Sequence, residues 1–155
     1  MSPMYNHVAR RIDAALVVLR LVTGIVFIAH GAQKLFTMGL PAITGGFQQM
    51  DIPYPEIVAP LVAILEFFGG IALVLGAVTR IVAFGLAVDM IGALFFVHLT
   101  NGLFLPNGFE FVLVLMGVCV ALVMTGAGAY SVDALMTQRY RSHRVPPPTY
   151  AARAT

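Results

Sequence analysis

The sequence predicts an all-α membrane protein that folds as a bundle of four transmembrane helices. Of its 155 residues, 59% are hydrophobic and only 10% are charged, and the mean hydropathy is +0.91. A water-soluble domain of this size cannot carry that composition on its surface. The apolar runs are continuous, whereas the strands of a membrane barrel alternate apolar and polar residues. Four runs approach the roughly 20 residues that a spanning helix needs, at positions 14–36, 57–77, 81–99 and 109–126.

The basic residues predict the orientation of this bundle. Arg10 and Arg11 precede the first run, Arg80 lies between the second and third, and four further arginines follow the fourth. The other two connections, at positions 37–56 and 100–108, contain no lysine or arginine. Because positively charged loops stay in the cytoplasm, both termini and the turn at Arg80 are expected to be cytoplasmic.

The same pattern divides the chain into three segments. Residues 1–12 form a cytoplasmic N-terminal segment, residues 13–136 form the membrane domain, and residues 137–155 form a basic tail that contains prolines and is expected to be disordered. The arginines of the tail lie close to a membrane helix, so we interpret them as signals for topology and contacts for anionic lipid. We expect no binding of nucleic acid.

Two short helices are predicted outside the four apolar runs. In the first outer connection, apolar residues recur at helical spacing, which indicates a short interfacial helix; they are Leu40, Ile43, Phe47 and Met50. After the fourth run, Ser131 is placed to cap a helix from about Val132 to Tyr140.

Charged residues inside the apolar runs mark the places where a function is expected. On insertion scales, each would cost roughly 2.5 to 3.5 kcal/mol if it lay unpaired at the bilayer centre. Small residues share a helical face with the charges on the first, second and fourth helices, so these faces are expected to point inward. Depth along the helices brings Arg20 near Glu66 and Asp89, and we predict a structural ion pair among these three residues.

A second polar group is predicted near the outer ends of the helices. It consists of His30, Lys34, His98 and Glu110, and these are our candidates for ligand binding, proton transfer or catalysis. We expect no metal, because no two of these possible ligands share a helix at metal-binding spacing and Lys34 would repel a cation. Cys119 is the only cysteine, so an intrachain disulfide is excluded and a buried, unreactive thiol is expected.

Several separated motifs, in order, resemble the DoxX family of small four-helix membrane proteins, with DoxD-like and MauE-type proteins as more distant relatives. The resemblance spans residues 16–135 and rests on Arg20, Ala29-His30-Gly31-Ala32-Gln33-Lys34-Leu35, Glu66-Phe67-Phe68-Gly69-Gly70, Leu75-Gly76-Ala77-Val78-Thr79-Arg80, His98-Leu99-Thr100-Asn101-Gly102, Asn107-Gly108-Phe109-Glu110 and Gly126-Ala127-Gly128-Ala129-Tyr130-Ser131-Val132-Asp133. The family implies the four-helix fold more firmly than it implies a reaction.

The resemblance leads to two functional hypotheses. DoxX-type proteins resemble a subunit of a thiosulfate:quinone oxidoreductase, which implies a small component of a quinone- or sulfur-linked redox system in the bacterial cytoplasmic membrane. The alternative is a noncatalytic accessory subunit of a larger respiratory, photosynthetic or oxidoreductase complex, whose partners are lipid, other subunits or a second copy. No flavin or nicotinamide fingerprint is present. Quinone is the one candidate cofactor, and the sequence leaves open whether the chain is an enzyme.

Overall fold

Helices form almost all of the computed structural model, which describes residues 3–144 and the side chains of residues 7–140. Six α-helices follow one another, two of them extended by π-helical turns. They are α1 (Pro3–Ala32) with a first π turn (Gln33–Met38), α2 (Leu40–Gln49), α3 (Pro55–Leu75), α4 (Thr79–Ala93) with a second π turn (Leu94–His98) and a 3-10 turn (Leu99–Asn101), α5 (Glu110–Thr125) and α6 (Val132–Arg144).

The prediction of an all-helical membrane protein is confirmed. Three helical segments are long and apolar enough to cross a membrane: His7–Met38, Pro55–Leu75 and Thr79–Asn101. The fourth apolar helix, α5, has 16 residues. At about 1.5 Å per residue it is about 24 Å long, somewhat less than the roughly 30 Å hydrocarbon core.

The ends of the chain contain more helix than the sequence indicates. Helix α1 begins at Pro3, eleven positions before the first predicted run, so much of the segment 1–12 continues the first helix. Helix α6 runs to Arg144, which makes the first part of the predicted disordered tail helical. The rest of that tail, residues 145–155, lies outside the described residues.

Close backbone contact holds α1 against α3. These antiparallel helices meet through glycines, and a methyl group added at Gly24 would lie 2.7 Å from the carbonyl oxygen of Gly70. A methyl group added at Gly31 would lie 2.7 Å from the Cα atom of Phe67. Small residues allow this approach, as is typical of packed membrane helices. The inward face predicted for the first helix is confirmed, since Arg20 and Phe27 are both buried.

This contact predicts that two Gly→Ala variants differ strongly in their free energy of unfolding. We expect Gly31→Ala to destabilise the protein by about 1 to 3 kcal/mol, because the new methyl group overlaps the backbone of α3. Gly117 on α5 is the matched control, since a methyl group added there meets nothing within 4 Å. Gly117→Ala should be neutral or stabilising by up to about 1 kcal/mol, because alanine favours the helix. Reversible unfolding in mixed micelles measures both; equal losses would contradict the proposed packing.

Helix α5 corrects one predicted face. Its small-residue stripe was expected to point inward, but Met124 is 73% exposed and Gly117 is also exposed. The buried face is apolar instead and packs against α4; it consists of Val112, Leu115, Cys119 and Leu122. Because every face of this helix is apolar, the sequence carries no contrast that identifies the buried one.

Helix α6 is attached to the turn between α3 and α4. The carboxylate of Asp133 accepts hydrogen bonds from the backbone N–H groups of Val78 (2.7 Å) and Thr79 (3.0 Å) and so caps α4. The Ser131 hydroxyl accepts from the Ala134 N–H at 3.1 Å, which confirms its predicted capping role. We call this end of the bundle the junction end, and the opposite end, where the two π turns lie, the cavity end.

Candidate functional site

A cavity of about 670 Å³ opens among the helices at the cavity end. Its wall is mostly apolar and comes from α1, α2, α3, α4, α5 and the loop before α5. Five polar or charged side chains interrupt that wall: His30, Lys34, Glu66, Asp89 and His98. A largely apolar pocket with a few convergent polar groups is the usual form of a small-molecule site.

Two acids and one base form the polar centre of this cavity, which we call the carboxyl–lysine group. The ammonium of Lys34 donates to Oε2 of Glu66 and forms a salt bridge with it. Asp89, on α4, belongs to the same cavity wall. The group therefore combines a buried ion pair with a second carboxyl group in one apolar cavity.

Asp89 keeps one buried oxygen without a partner. Its Oδ2 atom is shielded from solvent and makes no hydrogen bond, although it belongs to a residue of the cavity wall. An unsatisfied buried acceptor costs about 1 to 3 kcal/mol, so this oxygen is an energetically costly feature of the cavity region.

Two histidines also contribute to the wall of the cavity. Nδ1 of His98 is 2.8 Å from the carbonyl oxygen of Asn107. A carbonyl can only accept, so Nδ1 carries the proton, and in the neutral ring Nε2 is left as an acceptor. His30 is exposed, and its ring lies 6.2 Å from that of Phe111.

The π turns position two of these side chains. Lys34 lies in the first π turn, where the N–H of Gly39 bonds to the Lys34 carbonyl five residues earlier, at 3.1 Å. His98 is the last residue of the second π turn. The wider turn rotates the residues after it relative to a regular α-helix, and π turns are frequent at functional sites. Neither turn was predicted, because apolar periodicity does not distinguish the two helix types.

Glu110 takes a different role from the one predicted. It is absent from the cavity wall, and its Oε1 accepts a hydrogen bond from the Leu105 N–H at 2.9 Å. This bond folds the loop before α5 back on itself, and Leu105, Pro106 and Gly108 of that loop line the cavity. Glu110 thus supports the cavity wall through the loop backbone.

Arg20 is also placed elsewhere, and the predicted pairing of Arg20 with Glu66 and Asp89 is wrong. Arg20 is 2% exposed at the junction end, where its guanidinium donates to the carbonyl oxygens of Leu73 (3.3 Å) and Tyr130 (2.7 Å). The reason is the register of the antiparallel helices, which places Lys34 beside Glu66. Arg20 is about 21 Å from Lys34 along α1, at 1.5 Å per residue.

The cavity therefore regroups the residues predicted from the sequence. It unites three members of the outer group, His30, Lys34 and His98, with the two acids assigned to an inner ion pair. An antiparallel pairing of α1 and α3 could have predicted this grouping, since it brings Lys34, near the end of the first helix, beside Glu66 on the second. Among the described residues, no three histidine, cysteine or acidic side chains lie close enough together to hold a metal ion.

Comparison with known proteins identifies related sequences. The sequence model of a family described as DoxX matches residues 15–99. An uncharacterised protein of Haemophilus influenzae is 35% identical over 74% of this chain and 85% of its own length. "Putative oxidoreductase CatD" of Bacillus subtilis is 32% identical over 74% of this chain and 81% of its own length. "Inner membrane protein YqjF" of Escherichia coli is 30% identical over 83% of this chain and 96% of its own length. No solved structure matches.

Proposed function

This chain belongs to the DoxX family of membrane proteins, and from that premise we propose that it binds a quinone head group in its cavity, as a small component of a redox system in the bacterial inner membrane. The name of YqjF supports the location, and the name of CatD supports the link to oxidation and reduction. The family by itself supports no particular reaction.

The observation that carries this proposal is the carboxyl–lysine group inside an apolar cavity. A buried ion pair alone would need no cavity beside it, and a volume of about 670 Å³ lies in the range of small-molecule sites. A quinone ring suits the apolar wall, and its carbonyl oxygens are acceptors for Lys34. The carboxyl groups of Glu66 and Asp89 and the ring of His98 supply groups for proton transfer in the same wall.

A small sulfur oxyanion suits this cavity less well. Lys34 is the one lysine or arginine in the wall of the cavity, and Glu66 already neutralises its charge. Asp89 adds a second carboxyl group, so an entering anion would lose its hydration and meet repulsion. We therefore favour the quinone over the sulfur compound as the ligand of this chain.

The cavity opens on the outer side of the membrane, with both termini in the cytoplasm and four helices crossing the bilayer. The charge distribution supports this orientation, because Arg80 lies at the junction end and Arg139 follows on α6. The connections at the cavity end, 39–54 and 102–109, contain no lysine or arginine. Loops with lysine and arginine tend to remain in the cytoplasm, so this asymmetry supports a cytoplasmic junction end and an outer cavity end.

A matched pair of glycine variants tests whether the cavity binds quinone. Gly92 lines the cavity and Gly117 does not, and a methyl group added at either meets nothing within 4 Å. Gly92→Leu fills part of the cavity, so we expect the affinity for a short-chain ubiquinone analogue to fall at least about ten-fold. Gly117→Leu should bind like the wild type. Thermal stabilisation of the purified protein by increasing ligand measures both affinities, because a ligand that binds the folded state raises its stability.

The outcomes of this titration separate the two functional hypotheses. Equal binding by the two variants would contradict a site in the cavity. No saturable binding by the wild type would contradict the quinone proposal and favour the accessory-subunit alternative. That alternative predicts other membrane subunits in native extracts of tagged protein, identified by mass spectrometry. It does not account for a buried acceptor and three charged side chains in a cavity wall, which docking through an outer surface does not require.

A further inference from the structure

The cavity reaches the outer surface of the bundle between α3 and α4. Leu61 on α3, Val88 on α4 and Phe96 in the second π turn line the cavity, yet they are 60%, 51% and 48% exposed. A side chain that contacts the cavity and is half exposed lies at an edge where the cavity meets its surroundings. All three residues belong to segments long and apolar enough to cross a membrane. This edge therefore faces hydrocarbon.

The packing of α3 against α4 explains the opening. Towards the junction end the two helices are in contact, since a methyl group added at Gly69 would lie 3.2 Å from Val82. One added at Gly85 would lie 3.3 Å from Leu65. Two turns nearer the cavity end, a methyl group added at Gly92 would meet nothing within 4 Å, and Gly92 lines the cavity. The helices thus separate towards the cavity end and leave a gap that is continuous with the cavity.

The gap lies at the depth of the hydrocarbon core. Leu61 is six residues from the start of α3 at the cavity end, which is about 9 Å along the helix. Val88 is nine residues from the start of α4 at the junction end, which is about 14 Å. The gap therefore extends from near the middle of the bilayer towards the cavity end, within a hydrocarbon core of roughly 30 Å.

The opposite edge of the cavity, between α1 and α5, differs in chemistry. His30 and Phe111 line the cavity there, and their rings lie 6.2 Å apart. That separation is typical of paired rings, so side chains span the space between the two helices, and one of them is polar. The gap between α3 and α4 has an apolar rim instead, which favours it as the path of a hydrocarbon chain.

We propose that the ligand of this cavity is a long-chain lipid quinone, whose head group lies at the carboxyl–lysine group and whose hydrocarbon chain passes between α3 and α4 into the bilayer. This rests on the proposed function, since it concerns the same cavity, and it adds the class of quinone and the path of its chain. A chain in the gap contacts Leu61, Val88 and Phe96 on one side of the protein surface and stays out of water along its whole length. A water-soluble quinone would gain nothing from an edge that faces lipid.

Tryptophan emission tests the path of the chain, because the protein contains no tryptophan of its own. Phe96→Trp and Val88→Trp each place one at the gap. Phe111→Trp places one in the wall on the α5 side, and Phe36→Trp places one on an exposed surface outside the wall. Each variant, in lipid nanodiscs, is titrated with decylubiquinone and with the same compound carrying bromine at the end of its decyl chain. Bromine quenches tryptophan on contact, so the difference between the two ligands reports the chain end and not the head group.

We expect this difference at the gap alone. In Phe96→Trp or Val88→Trp, the brominated compound should cause about two-fold more loss of emission than decylubiquinone, since a chain in the gap brings its atoms within about 4.5 Å of these positions. The extra loss should saturate as the cavity fills. In Phe111→Trp and Phe36→Trp the two compounds should cause the same loss.

Each other result overturns the inference in a recognisable way. An equal extra loss in Phe36→Trp would show that the compound only partitions into the bilayer. An extra loss confined to Phe111→Trp would move the chain to the edge between α1 and α5 and leave the quinone site intact. No extra loss in any variant, despite saturable binding, would overturn the path alone. If neither compound stabilised the wild type against heat, the inference and the proposed function would fail together. Leu61→Trp, on the α3 side of the gap, replaces a gap variant that does not fold.

Discussion

Replacing Lys34 with methionine will destabilise the protein by about 3 to 5 kcal/mol. Methionine keeps much of the length of the side chain but removes the charge that pairs with Glu66. The side chain of Glu66 is only 5% exposed, so its carboxylate would remain in an apolar cavity beside a second acid. Breaking a buried pair by removing one partner has this cost because the other charge is left uncompensated. Reversible unfolding of the purified protein in mixed detergent and SDS micelles measures the loss.

The double variant Lys34→Met, Glu66→Met provides the control for this prediction. Removing both charges leaves no uncompensated ion, so the double variant should recover most of the stability lost in the single variant. The coupling energy from the complete cycle should exceed about 1 kcal/mol. Strictly additive losses would show that the two side chains do not stabilise one another in the membrane.

Replacing Arg20 with methionine will have the second largest effect, a loss of about 3 kcal/mol. The guanidinium bonds to two carbonyl oxygens, on Leu73 and Tyr130, and so joins the end of α3 to the segment before α6. A hydrogen bond to a charged group contributes about 1.5 to 3 kcal/mol, and both carbonyl oxygens would be left without that partner. Gly76 adds to the constraint, because its φ of +68° and the adjacent Arg20 side chain leave no room for a Cβ atom.

Two further variants separate this role from the ion pair predicted by the sequence. Arg20→Lys keeps the charge but has no planar fork, so it should recover less than half of the lost stability. Combining Arg20→Met with Glu66→Gln should give additive losses within about 0.5 kcal/mol, since the two sites share no partner. A coupling energy above about 1 kcal/mol between Arg20 and Glu66 would support the ion pair predicted from the sequence. It would contradict the assignment of Arg20 to the two carbonyl oxygens at the junction end. Both cycles use the same unfolding measurement as the Lys34 variants.

Helix α1 shows when the packing face of a helix can be predicted from the sequence. Arg20, Phe27 and Lys34 fall on one helical stripe with two glycines, and this stripe is the face that packs on α3. The prediction succeeded because small residues and charges contrast with the surrounding leucines and valines. On α5 the same argument failed, since Met124 faces outward and the buried face is as apolar as the exposed ones. Helical periodicity identifies a face only where composition differs around the helix.

The sequence by itself determined that this chain is a helical membrane protein of the DoxX family, and it predicted which few charged and histidine side chains carry its function. Those conclusions depend on composition and on local order along the chain, which need no knowledge of how helices meet. Only the tertiary structure decided which charges share a site, because the antiparallel register of α1 and α3 pairs Lys34 with Glu66. That register depends on glycine contacts between residues far apart in sequence. As a result, Glu66 and Asp89 belong to the wall of the cavity and not to the predicted structural ion pair with Arg20.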